Sequence, residues 1–144
     1  MSASPQAHIR SAAELREVLD AVLQAVDADP EIGPRLRAAA APLRFEFSDP
    51  ELILTVTPAE HGCLAWDFSD ALDVKPKLQL SMDSDFGNRL LQGRENPAIA
   101  IVRGRLRTRV EDAAVALRFF GSAAPLFARY REIVAERYPH LAVD

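Results

Sequence analysis

The sequence predicts an α+β fold: a five-stranded, mostly antiparallel sheet with helices covering one face. Three observations lead there. Up to Ala41 the apolar residues recur at helical spacing, and between Leu43 and Met82 the period falls to two. Beyond Ser84 helical spacing returns, broken by one further alternating run that ends at Val110. Each alternating run has one apolar and one polar side, so helices are expected on only one face of the sheet.

The elements follow in order. Residues 1–8 are small and polar with one proline, and read as a disordered tail. Ser11 with Glu14 forms a capping-box pattern, and Leu15, Val18, Leu19, Val22, Leu23 and Val26 then make one stripe of an amphipathic helix. Gly33 to Ala41 reads as a second, shorter helix stopped by Pro42. Both helices, within 9–41, are expected to be packing elements.

In the first strand Leu43, Phe45 and Phe47 alternate with Arg44, Glu46 and Ser48, and Asp49-Pro50 makes a turn. The second sets Leu52, Leu54 and Val56 inward against Ile53, Thr55 and Thr57. The third sets Leu64, Trp66 and Phe68 inward, after a turn over Pro58 to Gly62. A loop over Ser69 to Pro76 leads to Leu78, Leu80 and Met82. Short turns make the first three strands an antiparallel meander.

Asp83 or Ser84 then caps a helix carrying Phe86, Leu90 and Leu91, which Gly93 ends. Asn96-Pro97 opens a single helical turn from Ala98 to Ile101. Val102 to Val110 reads as the fifth strand, with Val102, Leu106, Thr108 and Val110 inward. Glu111 and Asp112 begin a helix with Ala113, Leu117 and Phe120 on one side, ended by Gly121 and Ser122. Pro125 starts the last helix, in which Phe127, Tyr130, Ile133, Val134 and Tyr138 follow helical spacing. The sheet and its covering helices occupy 43–138, and the chain reads as one domain over 1–144.

Composition narrows the function classes. The chain has 144 residues, 49% hydrophobic and 26% charged, as a globular protein does. A formal net charge of −4 argues against nucleic acid as a partner. The cations are arginines apart from Lys75 and Lys77, which fits a GC-rich bacterial genome. A single cysteine, Cys63, allows no internal disulfide. The opening MSASPQAHIR is not expected to act as a secretory signal, and no stretch has the ~20 apolar residues of a membrane span. A soluble cytoplasmic protein without an integral membrane segment is the expectation.

Catalytic and metal motifs are scarce. His8, His61 and His140 share no metal-ligand spacing. His61 and Cys63 pair a thiol with an imidazole, the elements of a nucleophile, but also suit a hairpin turn running into a strand. Asp67, Asp70 and Asp73 recur every third residue without the glycine and glutamate of a calcium loop, and read as a solvated acidic loop. Phosphate-binding glycine motifs and a nucleophile elbow are missing. No enzyme activity, metal or cofactor is expected.

Arg103, Arg105, Arg107 and Arg109 stand at alternate positions, so on a strand they would form a ladder of four on one face. Without interleaved aromatics this is not a nucleic-acid platform. It suits a solvated face or a homodimer contact. The apolar residues, among them Phe45, Phe47, Trp66, Met82, Phe86, Phe119, Phe120 and Phe127, should meet over one sheet face, forming either a packed core or an apolar site.

The stretch Met82-Asp83-Ser84-Asp85-Phe86, with Leu90, Gly93, Asn96-Pro97, Ala100 and Gly104-Arg105-Leu106-Arg107, resembles the sterol carrier protein type 2 family, the sterol-binding or lipid-transfer domain. The resemblance extends over about residues 15–138, and DADPEIGPRL and LRFEFSDPEL resemble its bacterial branch. It implies a five-stranded sheet covered by helices, with a tunnel between them for a fatty acyl, sterol or isoprenoid lipid. On matching positions it implies walls from Phe86, Leu90, Leu91, Ile99, Ile101, Leu106 and Phe120, and a lid from Phe127 and Tyr130. Trp66, from the apolar sheet face, completes the candidate binding set. The chain departs from the family at Val110-Glu111-Asp112, where a glycine is frequent, and its ending is not a peroxisomal address. The expected function is non-catalytic binding or transfer of a hydrophobic small molecule. The alternative is an accessory interaction module that dimerises through the polar sheet face.

Overall fold

The computed structural model describes residues 8–39, 42–60, 63–68, 75–121 and 123–143. His61, Asp70, Asp73, Ser122, the first seven residues of the expected tail and most of the Ser69–Pro76 loop lie outside the described residues. His8 belongs to the fold rather than to a tail: its Nδ1 lies 2.7 Å from Asp85 Oδ2, and the next backbone N–H, of Ile9, donates to Asp85 Oδ1 at 2.8 Å.

Helix α1 spans Ala12–Ala28 and buries the expected stripe from Leu15 to Val26. Ser11 Oγ accepts from Glu14 N at 3.1 Å, as a cap should. The returning arm falls one residue early, since Glu14 Oε1 accepts from Arg10 N at 2.9 Å. Asp29 then accepts from the N–H groups of Glu31 and Ile32 and starts α2, Ile32–Ala39. Those two bonds hold its carboxyl below the usual range.

The strands are β1 (Leu43–Ser48), β2 (Leu52–Pro58), β3 (Leu64–Asp67), β4 (Leu78–Asp83) and β5 (Arg107–Val110), in the order β3-β2-β1-β4-β5. The meander of the first three is antiparallel as expected, and β5 is antiparallel to β4. The sheet is mixed because β4 lies beside β1 in parallel, after the chain passes from the β3 edge to the far side of β1. Phe45 stands opposite both Leu54 and Leu80, which lines up the inward rows. Thr55, assigned to the wet side, is buried instead, between Arg44 and Asp67 in the two adjoining ladders.

Two further expectations give way. Helix α3 (Ser84–Leu91) is followed by α4 (Pro97–Val102), which begins one residue before and ends one after the expected turn. Val102 is therefore helical and 88% exposed. Gly104 then takes φ +73, a left-handed conformation that glycine adopts at little cost, and reverses the chain. The N–H groups of Arg105 and Leu106 both donate to Ala100 O, at 2.9 and 3.2 Å, so only four residues remain for β5. The arginine ladder accordingly has two rungs, Arg107 and Arg109, not four. In helix α5 (Ala113–Gly121) the buried stripe is Val115 and Phe119, and Leu117 is 75% exposed. Both stripes have helical spacing; the bulk of Phe119, edge-on to Phe45 at 6.0 Å, decides between them.

Helix α6 (Ala123–Arg137) starts two residues before Pro125, and a 3₁₀ turn over Pro139–Leu141 follows. The core lies between the inward sheet face and the helices.

Candidate functional site

Helix α3 rides so close to the sheet that a Cβ on Gly87 would meet the ring of Phe47 at 2.8 Å. Asp83 Oδ1 caps it by accepting from Phe86 N at 2.7 Å. Phe86 is fully buried with the guanidinium groups of Arg105 and Arg89 over its ring, 5.6 and 5.8 Å from the centroid. Asn88 of α3 and its C-cap Gln92 belong to a buried network. Tyr130 OH donates to Asn88 Oδ1 at 2.8 Å, and Gln92 Nε2 donates to the same oxygen at 3.0 Å. Both amides donate to Leu141 O, and Val143 N donates to Gln92 Oε1 at 2.9 Å. These bonds fasten the segment after α6 against α3. Burial, without a compensating charge, pushes the Tyr130 phenol far above its ordinary value, so it stays a neutral donor.

Between sheet and helices two small apolar spaces remain. One, about 40 Å³, is bounded by α1 and α2 residues such as Leu19, Val22 and Leu36, by the sheet, and by Leu91, Phe119, Leu126 and Tyr130. The other, about 10 Å³, is bounded by Phe45, Phe47, Leu80, Met82, Leu90, Leu91, Pro97, Phe119, Phe120 and Phe127. Phe45, Phe47, Leu91 and Phe119 bound both. Pro97, Phe120 and Phe127 bound the second and also an open groove of about 480 Å³, completed by Asn96, Ala98, Ile101, Ala123 and Ala124. The groove and the smaller interior space thus share Pro97, Phe120 and Phe127 as lining.

Aromatic rings mark the line inward from that groove. Phe120 and Phe119 meet edge-on at 5.4 Å, Phe119 meets Phe45 at 6.0 Å, and Phe45 lies near-parallel to Phe47 at 6.4 Å. Ligand pockets commonly measure about 300–1,000 Å³, a range that includes the groove and excludes the interior spaces. Phe120 and Phe127 stand where the groove meets the smaller space. Both are half-buried, which leaves them room on the solvent side.

The structure brings Leu90, Leu91, Ile101, Phe120, Phe127 and Tyr130 onto this line, and leaves the other candidates off it. Phe86 and Leu106 are buried and line none of these three spaces. Ile99 projects from α4 into water. Trp66 sits at the β3 side of the sheet, its Nε1 donating to Asp20 Oδ1 at 2.9 Å. Reasoning from the sequence missed the contribution of α1 and α2, whose apolar stripe was the available signal, and the small residues Ala98, Ala123 and Ala124 that make the groove concave.

A broader concavity of about 850 Å³ lies on the open sheet face. It carries Glu46, Glu51 and Asp83 opposite Arg105 and Arg107, with Leu52, Ile53 and Phe68 between. Its size also lies within the range of ligand pockets, but charges of both signs line it, unlike the apolar groove. Cys63 is half-buried against Gly33, and its N–H donates to Asp27 Oδ1 at 3.0 Å. Among the described residues no group of His, Cys, Asp and Glu is arranged to hold a metal, and no helix is long and apolar enough to cross a membrane.

The family model described as "SCP-2 sterol transfer family" matches residues 19–120. No curated protein matches the chain in sequence. Among solved structures, sterol carrier protein domain 2 of Helicoverpa armigera superposes with a TM-score of 0.64 at 15% identity, covering 88% of this chain and 94% of that one. A possible sterol carrier protein from Thermus thermophilus gives 0.56 at 16%, covering 92% and 94%. The apo form of sterol carrier protein 2 from Yarrowia lipolytica gives 0.51 at 15%, covering 79% and 87%. At these identities the structures establish a shared fold.

Proposed function

This chain belongs to the SCP-2 sterol transfer family, and we propose that it binds or transfers a hydrophobic small molecule held between the sheet and the helices. The ligand class is a fatty acyl, sterol or isoprenoid lipid, and the role is non-catalytic. The observation that carries the reading is the groove beside α4, which shares Pro97, Phe120 and Phe127 with the smaller apolar space inside. With those rings swung aside, an acyl chain gains about 0.8 kcal/mol per buried methylene without any directional group. That matches a lining that is apolar along the inner path. Leu90, Leu91, Ile101, Phe120, Phe127 and the ring face of Tyr130 form the walls and lid, while Phe86 and Leu106 belong to the surrounding core. Bacterial origin, which the arginine-rich composition supports, and one domain over 1–144, which the undivided order of elements supports, complete the reading with a cytoplasmic setting.

The accessory-module alternative, dimerising through the polar sheet face, has less to stand on with two arginines on β5 than with four.

Native mass spectrometry of the freshly purified chain tests the proposal. A co-purified lipid, or saturable uptake of a fluorescent fatty acid by the delipidated chain that unlabelled lipid displaces, is the expected result. No bound lipid and no saturable uptake would overturn it.

A further inference from the structure

Among the described residues, three of the five exposed large apolar side chains stand on one short helix, the others being Val110 on β5 and Leu117 on α5. Ile99 is 50% exposed, Ile101 41% and Val102 88%, all on the six-residue α4 beside the groove. Leu117, one helical turn before Phe120 on α5, is exposed too. Single exposed aliphatics are ordinary, but three on one short helix adjoining an apolar groove make a patch that water solvates poorly.

Cations surround it. Arg94 precedes α4 and Arg103 follows it directly, both exposed. Across the groove, Arg131 follows Phe127 by one turn and donates to Gln92 O at 3.4 Å. Among the described residues none of these three has a carboxylate within ion-pair distance. The nearby acids are engaged elsewhere, Glu95 with Arg89 at 3.1 Å and Glu132 with Arg129 at 3.0 Å. Helix α1 presents the opposite sign, with Glu14, Glu17, Asp20 and Asp27 against Arg16 alone. On a chain of net charge −4, the apolar patch therefore coincides with a local excess of uncompensated positive charge.

We propose that α4 and the groove rim form a docking surface for an anionic lipid bilayer. Ile99, Ile101 and Val102 enter the interfacial region, and Arg94, Arg103 and Arg131 meet lipid headgroups. The proposal rests on the lipid-binding reading for its purpose, since docking there would bring the groove against the bilayer. Its chemistry, aliphatic side chains ringed by unpaired guanidinium groups, stands independently.

Flotation with phosphatidylcholine vesicles, with and without phosphatidylglycerol, tests it. The chain should float only with the phosphatidylglycerol vesicles, and raised salt should release it. Val102→Asp, at a position too exposed to affect folding, should abolish flotation. Arg94→Glu and Arg103→Glu should each weaken it by roughly five-fold or more. Equal flotation with neutral vesicles, or flotation unchanged in these variants, would overturn the proposal. So would sedimentation showing a dimer that Val102→Asp dissociates while the wild type ignores vesicles, because a second copy would then cover the patch. Fluorescent fatty-acid uptake in solution separates the two readings. Uptake without flotation removes the docking surface alone, whereas flotation without uptake supports the surface and removes the ligand site.

Discussion

Helices α3 and α4 are neighbours in the chain and begin in the same way. Each starts from a side chain that accepts the N–H three residues on, Asp83 from Phe86 at 2.7 Å and Asn96 from Ile99 at 3.2 Å. From there they diverge. Six of the eight residues of α3 are buried, and its Asn88 joins Gln92 and Tyr130 in a buried network. In α4 only Ala100 is buried, and its aliphatic side chains face water. Similar capping and length thus serve opposite ends: one helix anchors the fold, the other offers apolar surface at the mouth of a groove. Composition would assign the roles the other way, because α4 is the more hydrophobic of the two. What distinguishes them is where Gly87 and Gly104 let the backbone go, tight against the sheet in one case and away from it in the other.

That comparison can be broken at several points. Phe86→Ala empties a fully buried ring site in α3 and should cost about 3–5 kcal/mol in a urea unfolding titration, whereas Val102→Asp in α4 should change stability by less than about 0.5 kcal/mol. Equal costs would mean that α4 is as structural as α3. Next in size is Asn88→Ala, which leaves Tyr130 OH without its acceptor and weakens the hold on Leu141 O. We expect about 2–3 kcal/mol, together with faster hydrogen exchange in the segment after α6. An unchanged exchange rate there would show that the network does not fasten the chain end.

Removing the caps should cost about 1 kcal/mol each for Asp83→Ala and Asn96→Ala, read as thermal midpoints. The consequences should differ: loss of the α4 cap should alter fatty-acid uptake more than loss of the α3 cap does. The smallest effect concerns acid. Burial opposes ionisation of Glu14, but hydrogen bonds from Arg10 N–H and His140 outweigh it and hold the carboxyl below its ordinary 4.5. A depressed carboxyl contributes stability above 4.5 that is lost as the pH falls through its folded value. The unfolding midpoint of Glu14→Gln should therefore fall less on acidification than that of the wild type. Identical acid responses would discount the His140–Glu14 contact, which spans 2.9 Å.

Much of this was legible in the residues. From Ser81 to Leu91, alternation, cap and helical spacing agree, so both the strand and α3 could be located, and the family resemblance began in this stretch and ran on to Arg107. Beyond Val102 the signals conflict. Arginine at every other position imitates a strand, whereas the left-handed turn at Gly104 keeps all but the last four residues out of the sheet. The ladder was lost for that reason. Leu117 and Val115 with Phe119 offered two stripes of equal period, and only the position of Phe45 on a distant strand selects one. The buried network was out of reach, since Asn88 and Leu141 meet across 53 residues of chain. The groove, too, depends on which small side chains come together in three dimensions.

The central claim is that an apolar ligand lies between sheet and helices, reached past Phe120 and Phe127. Methyl resonances followed during titration of the delipidated chain with a fatty acid test it most directly. The account predicts saturable shifts at Leu80, Leu90, Leu91, Ile101 and Leu126, with Ile53 on the open sheet face unmoved. Shifts confined to Ile53 and Leu52, around the concavity of the open face, would contradict it.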